Sequence, residues 1–140
     1  MATAVGGDKL VLNKEYITAA ANLADKTLIL VGGTAVGNAA ALCYGVIEKD
    51  VKSGDLATVK TAPGILEVLA TGTVTKGSDV EALQAAIFAN IDNVSTSTTS
   101  AGVQDLQVAG TGYPVGRALT SGSAGDTVLI NMYTHQNKAV

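Results

Sequence analysis

The residues that could do chemistry are few, and their spacing decides what that chemistry would be. One histidine, His135, stands five residues from the C-terminus, and one cysteine, Cys43, lies in the apolar run Leu42-Cys43-Tyr44. A Ser-His-Asp or Cys-His site would have to use His135. A chain tail does not hold a base to the fraction of an ångström that proton transfer requires. His135 is therefore expected to be a solvated tail residue, and Cys43 a small buried hydrophobe. A zinc site takes three or four ligands from His, Cys and carboxylates; one His and one Cys, far apart, do not make a usual set. No stretch has the acidic twelve-residue pattern of an EF-hand. Gly32-Gly33-Thr34-Ala35-Val36-Gly37 follows an apolar run as a phosphate loop would, but it lacks both the Gly-Lys-Ser/Thr ending and the GxGxxG order. It reads as a turn between strands. The carboxylates are numerous enough for glycoside chemistry, yet the aromatic residues that would hold a sugar are only Tyr16, Tyr44, Tyr113, Tyr133 and Phe88, scattered along the chain. The sequence thus offers no catalytic, cofactor-binding or metal-binding residue, and no cofactor or small-molecule substrate is expected.

What would position such residues follows from composition. The 140 residues are 47% hydrophobic but only 4% aromatic, with no Trp, so the core must be built from Ala, Val, Leu and Ile. Charged residues make up 15%, below the ~25% usual for globular domains. Disorder needs the opposite balance, and so low a charge content suggests that part of the surface meets protein rather than water. The net charge is −3 and unevenly spread: residues 77–130 carry Asp79, Glu81, Asp92, Asp105 and Asp126 against Arg117 alone. That region would repel phosphate, which argues against a nucleic-acid partner. No segment approaches the ~20 apolar residues of a membrane span, and the N-terminus lacks the basic-then-apolar pattern of a signal peptide. The expectation is a soluble protein made in the cytosol, with no membrane partner. A single cysteine leaves no intrachain disulfide.

Length predicts one domain. Residues 1–13 read as an N-terminal arm ending in the apolar anchor Leu10-Val11-Leu12, residues 14–133 as a β-rich domain, and residues 134–140 as a C-terminal tail. Strands are expected at Leu28–Val31, Leu42–Ile47, Leu56–Thr61, Ile65–Ala70, Gln104–Val108, Val115–Leu119 and Thr127–Tyr133, separated by turn signals. In the last, Val128, Ile130 and Met132 should share a face. Three turns carry one cue, Gly54-Asp55, Gly77-Ser78-Asp79 and Gly125-Asp126, in which glycine permits positive φ; their unequal spacing argues against a solenoid repeat. Two helices are expected. One is short, from Lys14 to Ala24. The other runs from Asp79 to about Asn90, because Ser78-Asp79-Val80-Glu81 has the form of a capping box and Val80, Leu83, Ile87 and Ile91 recur at helical spacing; a strand from Val80 to Ala85 is the competing reading. Ser95–Ser100 reads as a solvated loop or hairpin tip, or as a hydroxyl-rich strand lining a polar interface. The predicted fold is mainly β, a compact barrel or sandwich of about seven or eight short strands with one or two short helices. A structural or assembly protein fits these features best, a small β-barrel binding module for a ligand or peptide next, and an enzyme least.

Two stretches carry more than composition. The first is Tyr44-Gly45-Val46-Ile47-Glu48-Lys49-Asp50-Val51-Lys52-Ser53-Gly54-Asp55-Leu56-Ala57-Thr58-Val59, followed by Gly64-Ile65-Leu66-Glu67-Val68 and Val74-Thr75-Lys76-Gly77. The second is Tyr113-Pro114-Val115-Gly116-Arg117-Ala118-Leu119, then Ser123-Ala124-Gly125-Asp126-Thr127-Val128-Leu129-Ile130. In order and spacing they resemble the small head-decoration, or capsid cement, proteins of tailed bacteriophages. The resemblance covers residues 26–77 and 112–132 and weakens over 79–111. It implies a virion protein without catalysis, on the outer surface of the capsid head. Such a protein bridges neighbouring copies of the major capsid protein, often as a homotrimer at three-fold positions. In that setting Leu10, Val11 and Leu12 are the candidate capsid or subunit contact. Removing residues 1–12 should then leave a folded protein that binds heads poorly.

Overall fold

The computed structural model describes residues 13–37, 42–107, 113–134 and 136. Nine strands follow one another: β1 (Asn13–Thr18), β2 (Leu28–Ile29), β3 (Gly45–Ile47), β4 (Leu56–Thr61), β5 (Gly64–Leu69), β6 (Asp79–Ile91), β7 (Val94–Asp105), β8 (Gly116–Ala118) and β9 (Thr127–Met132). They form two antiparallel sheets, in the orders β1-β4-β3-β2 and β5-β9-β8-β6-β7. The predicted mainly β architecture is therefore present. Val128, Ile130 and Met132 share the buried face of β9, while Thr127 and Asn131 are exposed.

Neither expected helix forms. Residues 13–18 pair with β4, from Asn13 opposite Thr61 to Thr18 opposite Leu56. Residues 79–91 are a long strand, paired with β7 from Val80 opposite Asp105 to Ile91 opposite Val94. The helical spacing there has a physical origin. At the base of β6, Val80 and Ala82 point into the main core; beyond it Ile87, Ala89 and Ile91, of opposite parity, turn toward the other half of the molecule. A strand whose buried face switches sides midway puts apolar residues three and four apart. The capping-box residues do other work. Ser78 closes a turn through its N–H to the Thr75 carbonyl, and the Glu81 carboxylate accepts from Gln104 Nε2 at 2.9 Å. Alanine, leucine and glutamine favour helix in isolation, and here long-range pairing overrides them. Ser95–Ser100 is likewise strand, not loop.

The two sheets are two copies of one motif. β1, β2, β3 and β4 of the first occupy the places of β5, the start of β6, β8 and β9 in the second. The pairing registers coincide: Val46 opposite Lys60 and Ile47 opposite Val59 match Arg117 opposite Asn131 and Ala118 opposite Ile130. So do the connections. Leu23 and Val51 exchange two backbone hydrogen bonds, as do Val74 and Gly122; Lys26 N–H reaches the Ile47 carbonyl as Gly77 N–H reaches that of Ala118. Four equivalent β-turns result, each with a left-handed third residue: Lys26 (φ 66°), Gly54 (92°), Gly77 (91°) and Gly125 (98°). The recurring glycine-acid cue is thus a real internal repeat, two-fold rather than solenoidal. Each half buries corresponding side chains, Ala19, Leu23, Ile29, Ile47, Ala57 and Val59 in one and Ala70, Val74, Val80, Ala118, Val128 and Ile130 in the other. Leu28, Val36 and Val46 of the first half join the larger core of the second, which unites the halves.

Candidate contact surface

The halves differ at one place. In the first, the chain leaves β2 through a tight turn, with Leu30 N–H bonded to the Thr34 carbonyl and Gly33 N–H to that of Leu30. This is the glycine-rich segment, and it is a turn between strands. In the second half, residues 81–104 stand in its place as the long β6–β7 hairpin. The hairpin closes through Asp92 and Asn93, with φ of 55° and 61°, the two left-handed residues of a type I′ turn that matches strand twist.

One face of the hairpin's outer part folds back on the first half. Ile87, Ala89 and Ile91 pack with Ala24. The Asp50 carboxylate accepts from Asn90 N–H at 2.9 Å and from Asp25 N–H at 2.7 Å. Lys52 pairs with Asp92 at 2.8 Å. On the other face Ala86, Phe88 and Asn90 lie opposite Thr99, Ser97 and Ser95, all six exposed. Phe88, the chain's one phenylalanine, is 75% exposed, and Val94 beside the turn is 61% exposed. Between Glu81 and Asp105, Asp92 at the tip is the one ionisable residue. An exposed, uncharged, hydroxyl-rich strand face with an aromatic at its centre has the make-up of a protein-contact surface, where charge is depleted and aromatics are enriched. Left bare, it would invite aggregation.

A second apolar feature lies on the first half. Leu30, Val31, Thr34, Leu42, Cys43 and Tyr44 line an open recess of about 500 Å³, with Val31 and Leu42 70% and 56% exposed. Its floor is held by Gln136, whose side-chain amide accepts from Cys43 N–H at 2.8 Å and donates to the Cys43 carbonyl at 2.9 Å. Gln136, assigned to the tail from sequence, is thereby tied to the domain. Tyr44 donates its hydroxyl to Glu15, and that bond raises the Tyr44 pKa, with burial and the carboxylate's charge adding to it.

The residues singled out for chemistry fall elsewhere. Cys43 is buried, and desolvation pushes its thiol up to about 12, which makes it an inert packing group as expected. The carboxylates serve the framework. Asp79 accepts from Tyr133 at 2.6 Å, Asp105 from Thr75 N–H and hydroxyl at 2.7 Å, and Asp126 from Ser123 N–H at 2.9 Å. Among the described residues no three His, Cys, Asp or Glu side chains gather where they could hold a metal. Leu10, Val11, Leu12 and His135 lie outside the described residues. Sequence reasoning missed Phe88 and the hairpin face, although a signal was there: two uncharged runs, 82–91 and 93–104, on either side of one acid. Compared with known proteins, the chain matches no family model, no curated protein and no solved structure.

Proposed function

We propose that this chain is a structural adhesion protein, without catalysis, that decorates the outer surface of a phage capsid and bridges neighbouring major capsid protein subunits as a homotrimer. The observation that carries the reading is the β6–β7 hairpin. It is the part of the fold that the duplicated motif does not require, and it presents an exposed, uncharged face centred on Phe88. The ordered resemblance of residues 26–77 and 112–132 to capsid cement proteins supplies the partner. A stiff β framework suits such a role, because rigid partners lose less entropy on docking. A multimer engaging several shell subunits also forms its later contacts at high effective concentration. The arm containing Leu10, Val11 and Leu12 is a second proposed contact. The test is addition of the purified chain to expanded heads that lack it. Stoichiometric pelleting with the heads, and protection of them against heat, chelator and osmotic shock, support the reading. Deletion of residues 1–12 should weaken pelleting while leaving the circular dichroism spectrum intact.

The recess beside Leu42 favours a second reading, a small β-barrel binding module for an apolar ligand or peptide. A saturable small ligand that stabilises the fold and loses its effect on Leu42→Asp would select it.

A further inference from the structure

Phe88 and the recess are complementary, and neither is satisfied within one chain. The recess is far larger than the ~150 Å³ that holds a benzene ring. None of the residues lining it is ionised at neutral pH, so an aromatic side chain would enter it without desolvating a charge. The hairpin face around Phe88 is equally uncharged. The two features sit on different halves of the fold, one on the turn that follows β2 and the other on the hairpin that replaces the equivalent turn. A contact between them would therefore join unlike patches, and unlike patches build closed rings or open filaments rather than two-fold dimers.

We propose that the hairpin of one copy seats Phe88 in the recess formed by Leu30, Val31, Leu42 and Tyr44 of a second copy, and that these head-to-tail contacts close into a ring. The inference builds on the reading of the hairpin as a contact surface, and it names the first partner of that surface as the chain itself. A buried aromatic at the centre of a water-excluding patch is the usual form of an interface hot spot. The Ser95, Ser97 and Thr99 hydroxyls around it form a polar rim.

Light scattering and sedimentation equilibrium on the full chain, without capsids, test this. The native chain is expected to form a closed multimer of fixed mass. Phe88→Ser, at an exposed position where folding is not at stake, and Leu42→Asp are each expected to weaken assembly about a hundredfold. Phe88→Leu, which keeps an apolar knob, should retain it in part. The decisive step mixes the two disabled variants. The Phe88→Ser chain keeps its recess and the Leu42→Asp chain keeps its phenylalanine, so together they should make one-to-one pairs and nothing larger. A monomeric native chain, a multimer that survives Phe88→Ser, or a mixture that does not pair would each overturn the proposal. Because no head is present, such a failure is distinct from failure of the decoration reading, which pelleting with heads measures.

Discussion

At the scale of single residues, the fold depends on a few positions where backbone or charge leaves no latitude. Gly45 and Gly116 are equivalent in the two halves, and each lies where a Cβ would fall 2.5 or 2.4 Å from a carbonyl oxygen, of Lys60 and Asn131 respectively. Backbone cannot yield as a flexible side-chain end does. Gly116→Ala should therefore cost about 1–3 kcal/mol, read as a lower urea midpoint with an unchanged slope. Gly125 differs: its Cβ would meet open space, and only its positive φ is strained, so Gly125→Ala should cost about 1 kcal/mol. Charge acts more weakly. Glu48 is drawn below its ordinary value of 4.5 chiefly by its hydrogen bond to Lys14, with Lys60 assisting. A folded-state pKa below the unfolded one gives stability that is present above about pH 4.5 and is lost as the pH falls through the folded value. The native chain should accordingly exceed Glu48→Gln by about 0.5 kcal/mol at pH 7, and the gap should close by pH 3, as melting curves at the two pH values would show.

At the scale of elements, the hairpin is latched to the first half at its far end by Asp50, which satisfies one backbone N–H on each side of the junction. Asp50→Ala leaves both without that acceptor and should cost about 2 kcal/mol. Amide exchange should accelerate over residues 87–94, while β5 and β9 keep their protection until global unfolding. Exchange rising equally throughout would mean that the hairpin is not a separate unit. The same hairpin marks where sequence stops being legible. β4, β5 and β9 could be read within a residue or two, because each alternates about a single buried face and follows or borders a glycine or proline turn. β6 could not, because its buried face changes sides between Ala82 and Ile87 and the composite imitates a helix. β7 could not, because serine and threonine give no hydrophobic period, and its course is set by twelve pairings with a strand that was itself misread. The absence of nucleophile, base and ligand clusters was plain from one His and one Cys. Phe88 was not singled out, because exposure depends on which face of the hairpin the partner half covers.

At the scale of the whole molecule, the chain is a doubled motif with one asymmetric addition. Duplication gives two small aliphatic cores that share Leu28, Val36 and Val46 across the join, and so a stiff body built almost without aromatics. The addition breaks the equivalence of the halves. One half carries a knob and the other a recess, which is what a chain needs to meet copies of itself head to tail while its remaining surface faces another protein. Adhesion, not turnover, is the function such a body suits, and its acidic, sparsely charged surface suits the outside of a shell whose DNA lies within. Pelleting with expanded heads that lack the chain tests this most directly. The account predicts that the native chain saturates the heads at a fixed ratio to the major capsid protein and raises the temperature at which they release DNA. A chain that stays in the supernatant over intact heads, or that leaves their release temperature unchanged, would contradict it.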